Sequence, residues 1–227
     1  MSELLHFSEH TLQEAALLFM GAVYVTRLYW ITRRKAGRER QAPTGTGSPD
    51  PKGSIVYSWA NVAMPWSMES TRRKWFLYVQ FVAFHLGVVA AIGLSFVIPY
   101  GPGILETPGV VPVLQIVIGA AFLVGVGRII RRIASKYMRA ISSPDDYFSL
   151  VLLTAWFAFA FLAVPNDTSG GEWPLLTFFL LTAFFLVYVP FSKISHYLYY
   201  PFTRYYLGKT LGRRGVYPVR KARQHAG

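Results

Sequence analysis

Apolar residues fall into five long runs along this chain, parted by short polar or basic stretches. Runs near 20 residues are long enough to cross a bilayer as helices. The pattern predicts spans over about 12–31, 75–98, 110–127, 147–164 and 174–200. Near the end of the first run, Arg27 is expected to snorkel toward the headgroups, with Tyr29 and Trp30 at interfacial depth. Residues 41–53 (QAPTGTGSPDPKG) are too poor in apolar side chains to pack and read as a mobile loop. Residues 54–70 are aromatic and broken by Pro65. They read either as an amphipathic segment anchored in the interface by Trp59 and Trp66, or as a surface for a cytoplasmic partner. Ser142-Ser143-Pro144-Asp145-Asp146 has the signature of a capped helix start, with a proline in the first turn and acids at the positive dipole end. Adjacent carboxylates at a helix start diverge, so capping is the preferred reading over acid–base chemistry. The last predicted helix runs through Pro190-Phe191-Ser192-Lys193-Ile194-Ser195-His196 to Tyr200.

The predicted fold class is therefore an all-α integral membrane protein, a five-transmembrane-helix bundle forming a single membrane domain over 1–227. Residues 32–74 form a cytoplasmic loop and 201–227 a basic cytoplasmic tail. Composition agrees, because 15% of the residues are charged against about a quarter in a soluble domain. A net charge of +12 would suit nucleic acid, but its placement argues otherwise. Nine Lys and Arg lie in 31–74, five in 128–139 and eight in 193–227, while 99–109 and 165–173 have none. By the positive-inside rule this sets the N-terminus outside and the C-terminus in the cytoplasm. The start, MSELLHFSEH, lacks a basic n-region, so the first run reads as a retained helix. Absence of cysteine excludes thiolate-bound iron–sulfur clusters, Cys-linked haem and disulfides within the chain. No nucleotide-binding loop, Ser/His/Asp spacing or His-Glu-x-x-His is present, and no catalytic residue is assigned.

Two histidines remain in or at the edge of apolar runs, His85 and His196. A polar ring in hydrocarbon needs a partner, which makes each a functional-site candidate; a hydrogen bond to a neighbouring helix is the plainer alternative. Counted from Arg73 and Arg204 as cytoplasmic boundaries, they lie about 18 Å and about 12 Å deep at 1.5 Å per residue. Tilt covers that offset, so both imidazoles can reach one iron from opposite faces of a haem. Bis-histidine ligation leaves no open position and favours electron transfer. Gly87 and Gly93 give either a flat macrocycle or a packed helix room to approach. His6, His10 and His225 read as solvated.

Phe84-His85-Leu86-Gly87 in the second run and Pro190-Phe191-Ser192-Lys193-Ile194-Ser195-His196 at the end of the fifth, with five spans, resemble the respiratory nitrate reductase gamma subunit-like family of membrane cytochromes b. That family includes the heterodisulfide-reductase-like and sulfite-reduction-associated subunits. The resemblance implies a quinone-reactive cytochrome b in the inner membrane of a prokaryote, exchanging electrons with a cytoplasmic iron–sulfur partner. It places His85 and His196 as axial ligands of the haem nearer the cytoplasm. The family's second pair would fall on Ser95 and Phe178, which cannot ligate, so one haem b per chain is expected. Arg72, Arg73, Arg128 and Lys193 are candidate propionate partners. The basic loops and tail suit an acidic partner or, equally, anionic lipid. The alternatives are a nitrate reductase gamma subunit proper and a haem-free membrane scaffold.

Overall fold

The computed structural model describes residues 2–34, 37, 40–45, 47–67 and 69–217. Lys35 and Arg38 of the first basic cluster, and the tail from 218 on with His225, lie outside the described residues. Of the described residues 81% are helical, and none of them lies in a strand. Helix α1 runs over Glu3–Arg33 with one π turn at Ser8–Leu12. It is followed by α2 (Pro51–Ala60), α3 (Glu69–Arg73), α4 (Trp75–Tyr100), α5 (Val110–Ala134) and α6 (Lys136–Ala140). The last three are α7 (Pro144–Ala163), α8 (Trp173–Tyr188) and α9 (His196–Arg213). Five segments are long and apolar enough to cross a membrane: α1, α4, α5, α7, and α8 with the turn that follows it. This is a multi-pass, all-helical membrane protein.

Internal contacts divide the chain into two units. The first comprises Met1–Tyr29 and Phe76–Ser195. Its core is aromatic: Phe157, Phe178 and Phe179 are fully buried, and Trp156 stacks on Phe178 at 6.0 Å between ring centroids. The Trp156 indole N–H is satisfied by Thr182 Oγ1 at 2.9 Å, as a buried donor must be. Small residues let helices close up: a Cβ on Gly87 would collide with Ala121 of α5, and one on Gly125 would meet Thr154 of α7 at 2.5 Å. Gly87 thus serves helix packing, whereas Gly93 has nothing within 4 Å of such a Cβ. Large apolar side chains such as Ile116 (71% exposed) and Leu123 (69%) point outward. In water such a surface would aggregate; it suits contact with lipid.

One end of this unit gathers the start of α1, the end of α4 and the start of α8. Ser2 N–H donates to Glu172 Oε1 (2.7 Å), Tyr100 hydroxyl to Glu14 Oε1 (2.7 Å), and Gln13 Nε2 to Ser95 O (2.8 Å). The loops at 99–109 and 165–173 therefore share an end with the beginning of α1. Helix α1 starts nine residues earlier than the apolar run suggests, at Glu3, because Ser2 caps it with a bond from Leu5 N–H.

The second unit comprises Trp30–Trp75 and His196–Gly227. Here α2 lies against α9 through small residues on both sides. A Cβ on Gly208 would stand 2.6 Å from Ile55 Cα, and one on Gly212 2.6 Å from Ser54 Cβ. The stretch read as mobile is tied down in its described part: Gly45, Gly47 and Asp50 N–H donate to Arg214, Gly215 and Gly212 carbonyls at 2.8, 3.3 and 3.1 Å. Backbone hydrogen bonds do what apolar side chains cannot do there. Helix α9 closes with glycine in the left-handed region (Gly215 φ +68°), Val216 N–H returning to Leu211 O and Gly215 N–H to Gly212 O. This is the Schellman arrangement, and it turns the chain back toward Gly45 and Gly47.

The helix predicted over 174–200 is not continuous. It stops at Tyr188, makes two short 3-10 turns (Val189–Phe191 and Lys193–Ser195) and restarts at His196. Pro190 brings no N–H, and Ser192 is extended (φ −104°, ψ 171°). Ile194 N–H, which a continuous helix would aim at Pro190 O, goes instead to Ser192 Oγ at 3.2 Å.

Candidate functional site

His85 sits in α4 of the first unit, half-buried, ten residues above the start of that helix at Trp75. Its Nδ1 lies 2.8 Å from Phe81 O. A carbonyl only accepts, so Nδ1 carries the proton and donates. In the neutral ring the lone pair then sits on Nε2, the arrangement seen where a histidine's second nitrogen ligates a metal. Phe81 lies 4.2 Å from the imidazole, centroid to centroid, and Phe84 6.3 Å away, so the ring's orientation is set by packing as well. The Arg128 guanidinium stands 4.6 Å over the Phe84 ring. That puts a cation from α5 beside the residue next to His85.

His196 is the first residue of α9 in the second unit and is exposed, its ring 6.4 Å from Tyr197. What precedes it is pinned within the first unit from two sides. Arg27 Nη1 donates to Pro190 O and its guanidinium lies 5.4 Å over Phe191. The carbonyl that the broken helix leaves over is thereby satisfied. Lys193 Nζ donates to Ser143 Oγ (2.8 Å) and to Asp146 Oδ1 (3.0 Å). Asp146 Oδ2 accepts from Ser143 N–H and hydroxyl, both 2.8 Å, and Arg132 Nη1 approaches it at 3.9 Å. Tyr188 hydroxyl donates to Asp145 Oδ1 at 2.6 Å.

The capped start of α7 is thus present, and its two carboxylates do diverge. One holds the end of α8, and the other holds Lys193 of the turn. Lys193 is committed to Asp146 and Ser143, and Arg73 to Glu69 at 2.5 Å. Arg128 is the candidate cation that stands beside the His85 segment. Arg27 has partners that the snorkelling expectation did not name, the orphan Pro190 carbonyl and the Phe191 ring. A signal was present in the sequence: an isolated charge within an apolar run needs a partner.

The positions where a second pair would fall are filled by packing. Ser95 is 3% exposed and donates its hydroxyl to Ile92 O at 2.8 Å, and Phe178 is fully buried against Trp156 and Phe179. Near the start of α1, His6 and His10 rings lie 4.7 Å apart, and His10 is 5.4 Å from Tyr100. No group of three or more His, Cys, Asp or Glu is placed to hold a metal ion among the described residues.

The chain is 28% identical over 211 residues to an uncharacterised protein of Nitratidesulfovibrio vulgaris (strain Hildenborough), covering 85% of this chain and 86% of that protein. The likeness therefore extends over most of both chains. No protein-family model matches the chain, and no solved structure does.

Proposed function

We propose that this protein is the membrane-anchor subunit of a quinone-linked oxidoreductase, a b-type cytochrome whose His85 and His196 hold one haem b. The observation that carries the reading is the His85 hydrogen bond to Phe81 O, which aims protonated Nδ1 at its own helix and leaves Nε2 as the coordinating nitrogen. A bound haem would supply one-electron chemistry, with His85 and His196 as the residues that would hold it. The protein's own part is positioning. Phe81 and Phe84 orient the His85 ring, Arg128 offers a cation for a propionate, and Arg27 and Lys193 fix the turn from which His196 emerges. The packed Ser95 and Phe178 support a single haem per chain.

In this reading the protein lies in the inner membrane of a prokaryote, like the gamma-subunit-like cytochromes it resembles. The basic ends of the helices face the cytoplasm and the start of α1 faces outside. Electrons pass between the quinone pool and a cytoplasmic iron–sulfur subunit. The charge distribution supports that orientation, because the loops sharing an end with the start of α1 hold no Lys or Arg.

Purified protein is expected to give a reduced-minus-oxidised spectrum of b type, lost in His85→Ala and in His196→Ala while the helical circular dichroism is kept. A colourless preparation that still assembles with its partners would overturn the proposal.

A further inference from the structure

All the net positive charge of this protein belongs to the second unit. Residues 30–75 and 196–227 hold 16 of the 23 Lys and Arg but 3 of the 11 acids, a net +13, and the rest of the chain carries −1. From His196 onward there is no Asp or Glu at all. Within the described part of this unit the charges alternate with aromatic rings. Arg204 lies 5.4 Å over Tyr200 and Lys209 5.5 Å over Tyr205.

The same unit contains a half-open cavity of about 350 Å³, lined by Ile31, Thr32, Trp59, Phe202, Tyr205 and Tyr206 with Pro201. That volume falls within the range of small-molecule sites, about 300–1,000 Å³. Its wall is braced: Trp59 Nε1 donates to Pro201 O at 2.9 Å and Tyr200 hydroxyl to Trp59 O at 3.1 Å. Ile31 and Thr32 belong to the last turn of α1, a helix long and apolar enough to cross the membrane, so the end of such a helix forms part of the cavity wall. Tyr205 is both a wall of the cavity and the ring under the Lys209 ammonium.

We infer that this unit is a binding site for anionic phospholipid, taking the glycerol and upper acyl carbons in the aromatic cavity and the phosphate against the surrounding Lys and Arg. Trp and Tyr interleaved with Lys and Arg at a helix end is the composition that sits among headgroups. This site stands apart from the haem reading: it needs neither His85 nor an electron partner, and the test below reads no haem.

Full-length protein purified in neutral detergent is titrated with phosphatidylglycerol or with phosphatidylcholine, following thermal unfolding and the lipids retained in native mass spectra. Phosphatidylglycerol is expected to raise Tm by several degrees and to stay bound at least tenfold better than phosphatidylcholine. That preference should fall several-fold in Lys209→Glu and in Trp59→Ala. Because Trp59→Ala removes a brace of the unit, Lys209→Glu, on a partly exposed side chain, decides the matter if the former unfolds. Equal retention of the two lipids, or an unchanged preference in Lys209→Glu, would overturn the assignment. So would the same Tm shift from inorganic phosphate or soluble glycerophosphoglycerol, which would make the ligand a free anion. Binding of poly-glutamate with no phosphatidylglycerol preference would give the face to an acidic protein partner instead, and would also overturn it.

Discussion

Arg27, Lys193 and His85 each show a polar side chain in an apolar chain finding its partner on a backbone or a helix cap. Arg27 is half-buried and satisfies the Pro190 carbonyl. Replacing it by alanine leaves that oxygen without its donor, at a cost of about 1–3 kcal/mol, and loosens the turn that leads to His196. Arg27→Ala is therefore expected to lower Tm and, in the cytochrome reading, to weaken haem retention, while Arg27→Lys restores part of each. A haem content and Tm equal to wild type would contradict that role. The Lys193–Asp146 pair is more exposed, so it registers the turn with less effect on stability. Of the candidate site, both histidines stand out as candidates in the sequence alone, His85 as an imidazole amid Phe and Leu and His196 where the last apolar run meets charge. The need of Arg27 for a partner and the capping place of Asp146 were also legible, but the identity of their partners was not. Their partners are a proline carbonyl and a lysine 163 and 47 residues away along the chain, and no local pattern reports such pairings.

Among the elements, the five apolar helices follow from run length alone, and their observed limits agree with the runs except where capping or proline intervenes and at the end of α5, which continues past 127 through Arg128, Arg131 and Arg132 to Ala134. The Pro190 break escaped the run-length reading because hydrophobicity continues through Phe191 while the hydrogen-bond ladder stops. Helix α2 also escaped it, since it forms on Ser and Gly contacts with α9 instead of on an apolar face. Those contacts predict that Gly212→Leu overpacks the α2–α9 seam by about 1–3 kcal/mol. Hydrogen exchange should then rise in 45–60 and 205–217 with little change in α7. Uniform protection in both regions would refute the close approach. At the other end, hydrogen bonds from Ser2 hold the Glu172 carboxyl below its ordinary pKa. A depressed carboxylate stabilises the fold above its unfolded pKa and loses that contribution as pH falls through the folded value. Protection factors at residues 2–7, which correct for the intrinsic pH dependence of exchange, are accordingly expected to be unchanged from pH 7 to 5 and to fall at pH values below the ordinary carboxylate range, and Glu172→Gln should show the lowered protection at every pH.

At the scale of the whole molecule, the separation of charge from apolar surface is the feature that sequence and structure share. One unit has a net charge of −1 and turns large aliphatic side chains outward, and the other carries +13 with interleaved aromatics. That division was half visible in the sequence, as basic residues gathered at the ends of apolar runs. The joining of 45–50 to 212–215 was not, because it rests on backbone groups that every sequence possesses. The central functional claim is a single haem held by His85 and His196, and the haem-to-chain ratio of purified protein tests it most directly. Pyridine haemochrome absorbance, referred to quantitative amino-acid analysis, is expected to give one haem b per chain. A ratio of two would contradict the reading of Ser95 and Phe178, and a ratio of zero, with haem supplied during expression, would contradict the cytochrome assignment itself.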